Sequence, residues 1–275
     1  MLITGCSTGI GEASALQLAQ KGFRVLAGVR QPADAERLRS MSPNIEPIFL
    51  DVTNPEQIEA AAELVAETVP HGLDALVNNA GVGVVGPVED LTVEEWRSAI
   101  EVNLIGAVAV TRALLPSILR ARGRVINVSS GAGRIAFPLF GPYTVSKFAL
   151  EAFTDVLRRE VGHQGVKVIC VQPGVIATPI YAKGLGTHRS MLGLIPDDVA
   201  HRYAALLASA KKSATEAPST ARPASEVADA VLRALVTRRP RVRYVVGTDA
   251  KMASLAARFI PDRLQDFVIA RLTAS

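Results

Sequence analysis

Tyr143 and Lys147 stand four residues apart, so on a helix they share one face, one turn from each other. A free phenol titrates at about 10 and is a poor base near neutral pH. A lysine ammonium beside it favours the phenolate and lowers that value. Ser130 follows the apolar run Val125-Ile126-Asn127-Val128, which reads as a strand, and a strand end can set a hydroxyl beside a helix start. Together the three suit proton exchange with a substrate oxygen: the phenol moves the proton and the serine holds the oxygen. Tyr-x-x-x-Lys alone is more often an ordinary helix face, so the reading depends on what the rest of the chain brings to the same place.

The N-terminus brings an anion cradle. Leu2-Ile3 reads as the end of a short strand, either trimmed or preceded by sequence upstream. Thr4-Gly5-Cys6-Ser7-Thr8-Gly9-Ile10-Gly11 follows, then an Ala- and Leu-rich helix that stops at Gly22. Strand, glycine loop and helix N-terminus are the context in which backbone amides and a helix dipole meet a pyrophosphate. The spacing is G-x-x-x-G-x-G rather than G-x-G-x-x-G. The bland alternative is a tight turn with a packing glycine. The second strand, Phe23 to Val29, ends at Arg30, where an acidic residue would suit the ribose 2′-hydroxyl of NAD and an arginine suits a 2′-phosphate. Arg30 therefore favours NADP(H) and leaves NAD(H) as the alternative.

The remaining elements alternate. A helix over 33–41 precedes a strand over 45–50 that runs into Asp51-Val52, whose carboxylate suits an adenine amino group or a turn. A helix over 54–69 leads to a strand at 73–77 and Asn78-Asn79-Ala80-Gly81, small residues that let a ribose or nicotinamide approach the backbone. Thr92 and Glu95 form a capping-box pattern for a long helix containing Asn103. The helix carrying Tyr143 extends to about His163, and a strand over 166–171 ends in Pro173-Gly174-Val175-Ile176-Ala177-Thr178. This alternation specifies an α/β fold, a doubly wound parallel sheet with helices on both faces in three layers. Ligands in such sheets sit beyond the carboxyl ends of the strands, where all of these motifs fall.

Beyond Tyr181 the pattern loosens as far as about Ala224, with an Ala-, Ser-, Thr- and Pro-rich mobile loop expected over 211–225. Ser225 is read as the cap of a helix to about Thr237, and 241–246 as the last strand. Residues 1–247 then form one catalytic domain, with a substrate loop over 181–224. Residues 248–275 form an amphipathic helical tail whose Leu255, Phe259, Leu264, Phe267 and Val268 face its own core, a partner subunit or a membrane surface, the first two being favoured.

These motifs resemble the short-chain dehydrogenase/reductase family over roughly residues 1–247: the Thr4–Gly11 loop, Asp51-Val52, Asn78–Gly81, Asn103, Ser130, Tyr143-x-x-x-Lys147 and Pro173-Gly174. The resemblance implies a Rossmann-type sheet in a single domain with a C-terminal helical extension. It implies Tyr143 as acid/base, Ser130 orienting the substrate oxygen, Lys147 lowering the tyrosine's pKa and holding the nicotinamide ribose, and Asn103 supporting a relay water. Gly5, Ser7, Thr8, Gly9, Ile10, Gly11, Arg30, Asp51, Val52, Asn79, Ala80, Gly81, Pro173, Gly174, Ile176 and Thr178 join Tyr143 and Lys147 in holding the dinucleotide, Thr178 at the carboxamide. Gly141 to Glu160 is similar to the retinol and hydroxysteroid dehydrogenase branch. The expected activity is NAD(P)-dependent interconversion of an alcohol and a carbonyl. The family's departure here is the short first strand.

Ile135, Phe137, Leu139, Phe140, Val82, Val84, Val85, Tyr181, Leu185, Met191 and Leu192 line a lipophilic pocket for a steroid-, retinoid- or long-chain-like substrate, or else pack the core. Two other functions share the motifs: a non-catalytic dinucleotide-binding regulator, and a lyase or epimerase using its nicotinamide transiently. The chain of 275 residues is 49% hydrophobic and 20% charged, a globular composition with a net charge of +4. The excess favours an anionic ligand, not nucleic acid, and the Arg238, Arg239, Arg241, Arg243 cluster reads as solvated residues flanking a strand. Cys6 and Cys170 are too few for a disulfide framework, and neither they nor the four histidines show metal-ligand spacing, so no metal is expected. No run approaches about 18 uncharged apolar residues, so no membrane span is expected, and no signal peptide is seen. The expected setting is cytoplasmic, with peripheral membrane contact as the alternative, and the expected assembly is a homodimer or homotetramer through the long helices.

Overall fold

A computed structural model describes residues 1–180 and 195–273, without the side chains of 213–220 and 272. Seven parallel strands lie in the order β3-β2-β1-β4-β5-β6-β7. They are β1 (Leu2–Ile3), β2 (Val25–Val29), β3 (Ile45–Phe49), β4 (Ala75–Asn78), β5 (Arg124–Val128), β6 (Lys167–Pro173) and β7 (Arg243–Val246). Inner strands are mostly apolar because both faces are covered, with Asn78, Asn127 and Gln172 as buried polar residues near their carboxyl ends. Pro47, which cannot donate to a ladder, sits on the edge strand β3. The strand order reverses between β1 and β4, and the crevice at that reversal is where such sheets bind ligands.

Alternate residues divide between two cores. Ile3, Val77, Ile126 and Ile169 point to one face, under α1 (Gly9–Gln20), α2 (Pro32–Met41) and α9 (Ala224–Val236). Leu2, Leu26, Leu76, Val125 and Val168 point to the other, under α3 (Pro55–Thr68), α5 (Gly106–Ala121) and α6 (Gly141–Val161). Asn54 caps α3 by accepting from the Gln57 amide, with Pro55 in the first turn. The capping box of Thr92 and Glu95 opens α4 (Val93–Ile100). The long helix expected there is not uniform: a π-turn at Glu101–Ile105 joins α4 to α5 and carries Asn103 at its centre.

The combined run Val93–Ala121 is long and apolar enough to cross a membrane, contrary to the expectation that no segment would be. Its apolar stripe, Val110, Leu114 and Ile118, is buried against the sheet, so the core accounts for the composition.

Differences from expectation collect after β6. Tyr181, Leu185, Met191 and Leu192 lie outside the described residues. After α7 (Asp197–Arg202), residues expected in a mobile loop continue α8 (Ala204–Thr220), because Ala and the charged residues there are good helix formers. Ser225 lies in the first turn of α9 rather than at its cap, which Pro223 occupies. The tail is two helices, α10 (Thr248–Phe259) and α11 (Asp262–Thr273), since Pro261 interrupts the apolar spacing that continues across it. Leu255, Phe259, Leu264, Phe267 and Val268 are exposed, so the tail's apolar face is not closed against the chain's own core. Ala250, in contrast, is buried.

Candidate active site

A cavity of about 580 Å³ opens beyond the carboxyl ends of the strands. Ser130, Tyr143 and Lys147 line it, as do Gly5, Ser7, Thr8, Gly9, Ile10, Arg30, Asp51, Val52, Asn79, Ala80, Gly81, Pro173, Gly174, Ile176 and Thr178. Of the expected residues, Gly11 and Asn103 stand behind the wall.

The glycine loop is shaped by what touches it. Gly5 has φ +68°, and a Cβ there would lie 2.8 Å from the Ala80 Cα. A Cβ on Gly11 would fall 2.2 Å from the Gly5 carbonyl oxygen and 2.5 Å from Asn79 Nδ2. Gly11 thus lets the helix reach the loop rather than lining the cleft. Thr4 Oγ1 accepts from the amides of Asn79 and Ala80, each at 3.0 Å. Asn79 Nδ2 donates back to the carbonyls of Thr4 (2.9 Å) and Gly5 (3.0 Å). This clamp joins the loop after β1 to the loop after β4, and its pairing was not legible from type or spacing. A Cβ on Gly9, at φ +63°, would meet Thr178 Cγ2 at 3.0 Å, so the loops after β1 and β6 close across the cleft. The cradle therefore brings the backbone at Gly5 and Gly9 and a helix N-terminus to the cleft, which fits a dinucleotide pyrophosphate.

At the end of the cleft beside β2 and β3, Arg30 Nη1 lies 3.8 Å from Asp51 Oδ2. Burial raises the Asp51 carboxyl, but hydrogen bonds from the Thr53 amide and hydroxyl, with Arg30 nearby, leave it below its ordinary value. Arg37, on α2, donates to the Ser7 carbonyl at 2.6 Å and pairs with Glu12, bracing the glycine loop from outside.

Tyr143 and Lys147 project from the first turns of α6 with Pro142 at its start. Both are buried, and Lys147 Nζ lies 5.7 Å from the tyrosine ring centroid. Burial pushes the phenol above its usual range, and the Ser130 hydroxyl offsets part of that. The lowering expected from Lys147 is not seen here; its ammonium donates to the Val128 carbonyl at 3.0 Å. Lys147 itself is lowered to about 8 by burial, with Cys170 and Glu151 acting in the opposite sense. Ser130 Oγ accepts from the Ala132 amide at 3.1 Å, which fixes the hydroxyl in the tight turn Gly131–Gly133.

Asn103 braces the site from behind. Its Oδ1 accepts from the Val82 amide (2.7 Å), and its Nδ2 donates to the Val82 carbonyl and to Ser146 Oγ, each at 2.9 Å. Ser146 in turn donates to the Tyr143 carbonyl at 2.7 Å. A Cβ on Gly81 would sit 3.2 Å from Asn103 Oδ1 and 3.6 Å from Lys147 Nζ, so the glycine separates the two. The π-turn widens the helix where Asn103 must reach Val82.

Below Lys147 lies a buried charge network. Glu151 accepts from Cys170 Sγ (2.9 Å), Gln172 Nε2 (2.8 Å) and Arg243 Nε (2.9 Å), and Arg243 also donates to Asp155. Arg243 is therefore not the solvated residue expected from its cluster; Arg238, Arg239 and Arg241 are exposed. The two carboxylates hold its guanidinium above its usual range against the opposing effect of burial. Of the apolar residues expected around a substrate, Val82 and Val84 line the cavity with Val102 and Ile180. Val85, Ile135, Phe137, Leu139 and Phe140 do not line it, and Val85, Ile135 and Leu139 are buried.

A model of the short chain dehydrogenase family matches residues 1–186. Retinol dehydrogenase 5 from Homo sapiens is 41% identical over 98% of this chain and 87% of its own length. Short-chain dehydrogenase/reductase family 9C member 7 from Bos taurus is 40% identical over 98% and 88%, and human 17-beta-hydroxysteroid dehydrogenase type 6 is 39% identical over 98% and 87%. Among solved structures, a short-chain dehydrogenase from Streptomyces avermitilis superposes with a TM-score of 0.76 at 30% identity, covering 99% of this chain and 93% of that one. One from Burkholderia cenocepacia in complex with NADP gives 0.75 at 28% identity, covering 98% and 95%. With the glycine cradle and the Ser130, Tyr143 and Lys147 cluster in one cleft, the chain belongs to the short-chain dehydrogenase/reductase family, on its retinol and hydroxysteroid dehydrogenase branch, and is an NAD(P)-dependent oxidoreductase of alcohols and carbonyls.

Proposed function

We propose that the protein interconverts a lipophilic alcohol and its carbonyl, with Tyr143 as the acid/base and NADP(H) favoured over NAD(H). The observation that carries this reading is the burial of Tyr143 and Lys147 side by side in the cavity that the glycine loop enters. When bound, the nicotinamide supplies the hydride acceptor or donor, the hard step that the fold only orients. Tyr143 exchanges a proton with the substrate oxygen, and Ser130 Oγ, held by the Ala132 amide, fixes that oxygen beside it. Lys147, which donates to the Val128 carbonyl, would hold the nicotinamide ribose and supply positive charge beside Tyr143, which would favour the phenolate. Asn103 keeps Val82 and, through Ser146, the start of α6 in register. Gly5, Gly9 and the N-terminus of α1 hold the pyrophosphate, Arg30 a 2′-phosphate, and Ile176 and Thr178 the nicotinamide end.

The lipophilic substrate is supported by Val82, Val84, Val102 and Ile180 in the wall and by the names of the relatives, which include retinol and hydroxysteroid dehydrogenases. Exposed Ile105, Val145, Phe148 and Val156 on the π-turn and α6 support a homodimer or homotetramer through these elements. Lipophilic alcohols and ketones, steroids and retinoids among them, are assayed with both cofactors on the wild type and Tyr143→Phe. Turnover of neutral lipophilic substrates, reduced at least about 100-fold in the variant while dinucleotide binding persists, is the expected result. Turnover confined to small charged hydroxy acids, or an unaffected Tyr143→Phe enzyme, overturns the proposal.

A further inference from the structure

The strip Pro173–Thr178 leaves β6 and forms one wall of the cleft, with Gly174, Ile176 and Thr178 facing it. It is not a free loop. The Gly174 amide donates to Val246 (2.8 Å), Arg222 donates its amide to Val175 (3.0 Å), and the Ala177 amide donates to Arg222 (2.8 Å). The amide of Val175 donates to a side chain: Asp249 Oδ2 on the first turn of α10, at 2.6 Å. The carboxylate of Asp249, an exposed residue, lies against two backbones. A Cβ on Gly174 would lie 2.1 Å from either Asp249 oxygen, and one on Gly247 would lie 2.4 Å from Oδ1. Gly247 also takes φ +105°, which L-residues rarely adopt. The neighbouring Ala250 is buried, and a Cβ on Gly131, next to Ser130, would touch it at 3.3 Å. One turn of the C-terminal helix thus contacts both the strip that faces the cofactor and the turn that carries the serine.

We infer that Asp249 is a positioning residue for the cofactor strip. Asp249 reaches no cavity-facing surface and acts only by fixing the Val175 amide, and with it the direction in which Ile176 and Thr178 leave β6. The inference rests on the proposed dinucleotide site.

The test is a double-mutant cycle on the full chain, read by fluorescence titration with NADPH and by steady-state kinetics. Asp249→Ala is expected to weaken NADPH binding about tenfold and raise its KM to match, with kcat changed less than about threefold, a difference of about 1.4 kcal/mol. Asp249→Asn, which keeps an acceptor for the Val175 amide, should restore most of that affinity. Gly174→Ala should be impaired about as much as Asp249→Ala, because the methyl displaces the carboxylate from the Val175 amide. Adding Asp249→Ala to Gly174→Ala should then cost little more. Additive losses in the double variant overturn the inference, as does wild-type NADPH affinity in Asp249→Ala. So does an equal fall in kcat and affinity accompanied by a lower melting temperature, which marks a general loss of structure. Failure of the wild type to bind either dinucleotide would instead refute the site on which the inference stands.

Discussion

Replacing Lys147 by methionine should destroy activity and make the protein more stable. The ammonium is buried, donates one hydrogen bond, to Val128, and is lowered from 10.5 to about 8. At about 1.4 kcal/mol per pKa unit, holding that charge inside the fold costs roughly 3 kcal/mol at neutral pH. Methionine removes the charge at similar volume and leaves the Val128 carbonyl without its donor, a loss of about 1 kcal/mol. The net gain is about 2 kcal/mol, or a melting temperature higher by about 4–8 °C for a chain of this size. The sign with pH follows from linkage. Between about 8 and 10.5 the unfolded lysine binds more protons than the native one, so wild-type stability rises with pH across that window. The penalty is complete below 8 and fades toward 10.5. Urea denaturation of wild type and Lys147→Met, without cofactor, at pH 7 and pH 10 should therefore show the variant ahead at pH 7 and level or behind at pH 10. A variant less stable at pH 7, or a gap that does not change with pH, refutes the electrostatic account of this lysine.

Arg30→Ala should raise the KM for NADP(H) by about 10- to 100-fold, from a lost charge-assisted contact of about 1.5–3 kcal/mol, and leave that for NAD(H) nearly unchanged; equal effects in paired kinetics would remove Arg30 from any 2′-phosphate site. Gly11→Ala puts a methyl 2.2 Å from the Gly5 carbonyl oxygen. At about 1–3 kcal/mol for such overpacking, dinucleotide binding measured by calorimetry should weaken about 10- to 100-fold.

The parts of the site that could be read from the chain are those where one residue type is required by one job. Glycines at positive φ, a phenol and an amine one helical turn apart, and small residues at strand ends are visible without coordinates. The apolar runs placed the sheet for the same reason, since strands covered on both sides leave few polar positions, here Asn78, Asn127 and Gln172. The parts that could not be read depend on partners far apart in sequence. Arg243 looks like its exposed neighbours until β7 lies beside β6 and carries it to Glu151 and Asp155. The π-turn at Asn103 adds one residue to a helical turn and leaves no mark on composition. In the tail, apolar spacing that passed through Ile260-Pro261 suggested one helix where the proline makes two.

Glu95, half of the capping box that opens α4, also lines the cleft. Its carboxylate is tied down by the Thr92 amide at 2.8 Å and hydroxyl at 3.1 Å, and the adjoining Trp96 abuts Gly141 at the start of the helix that carries Tyr143. A molecule bearing its own carboxylate would meet a like charge that cannot swing aside without unwinding the first turn of α4. Neutral substrates are therefore expected to turn over faster than acids of the same size, and Glu95→Gln is expected to narrow the difference.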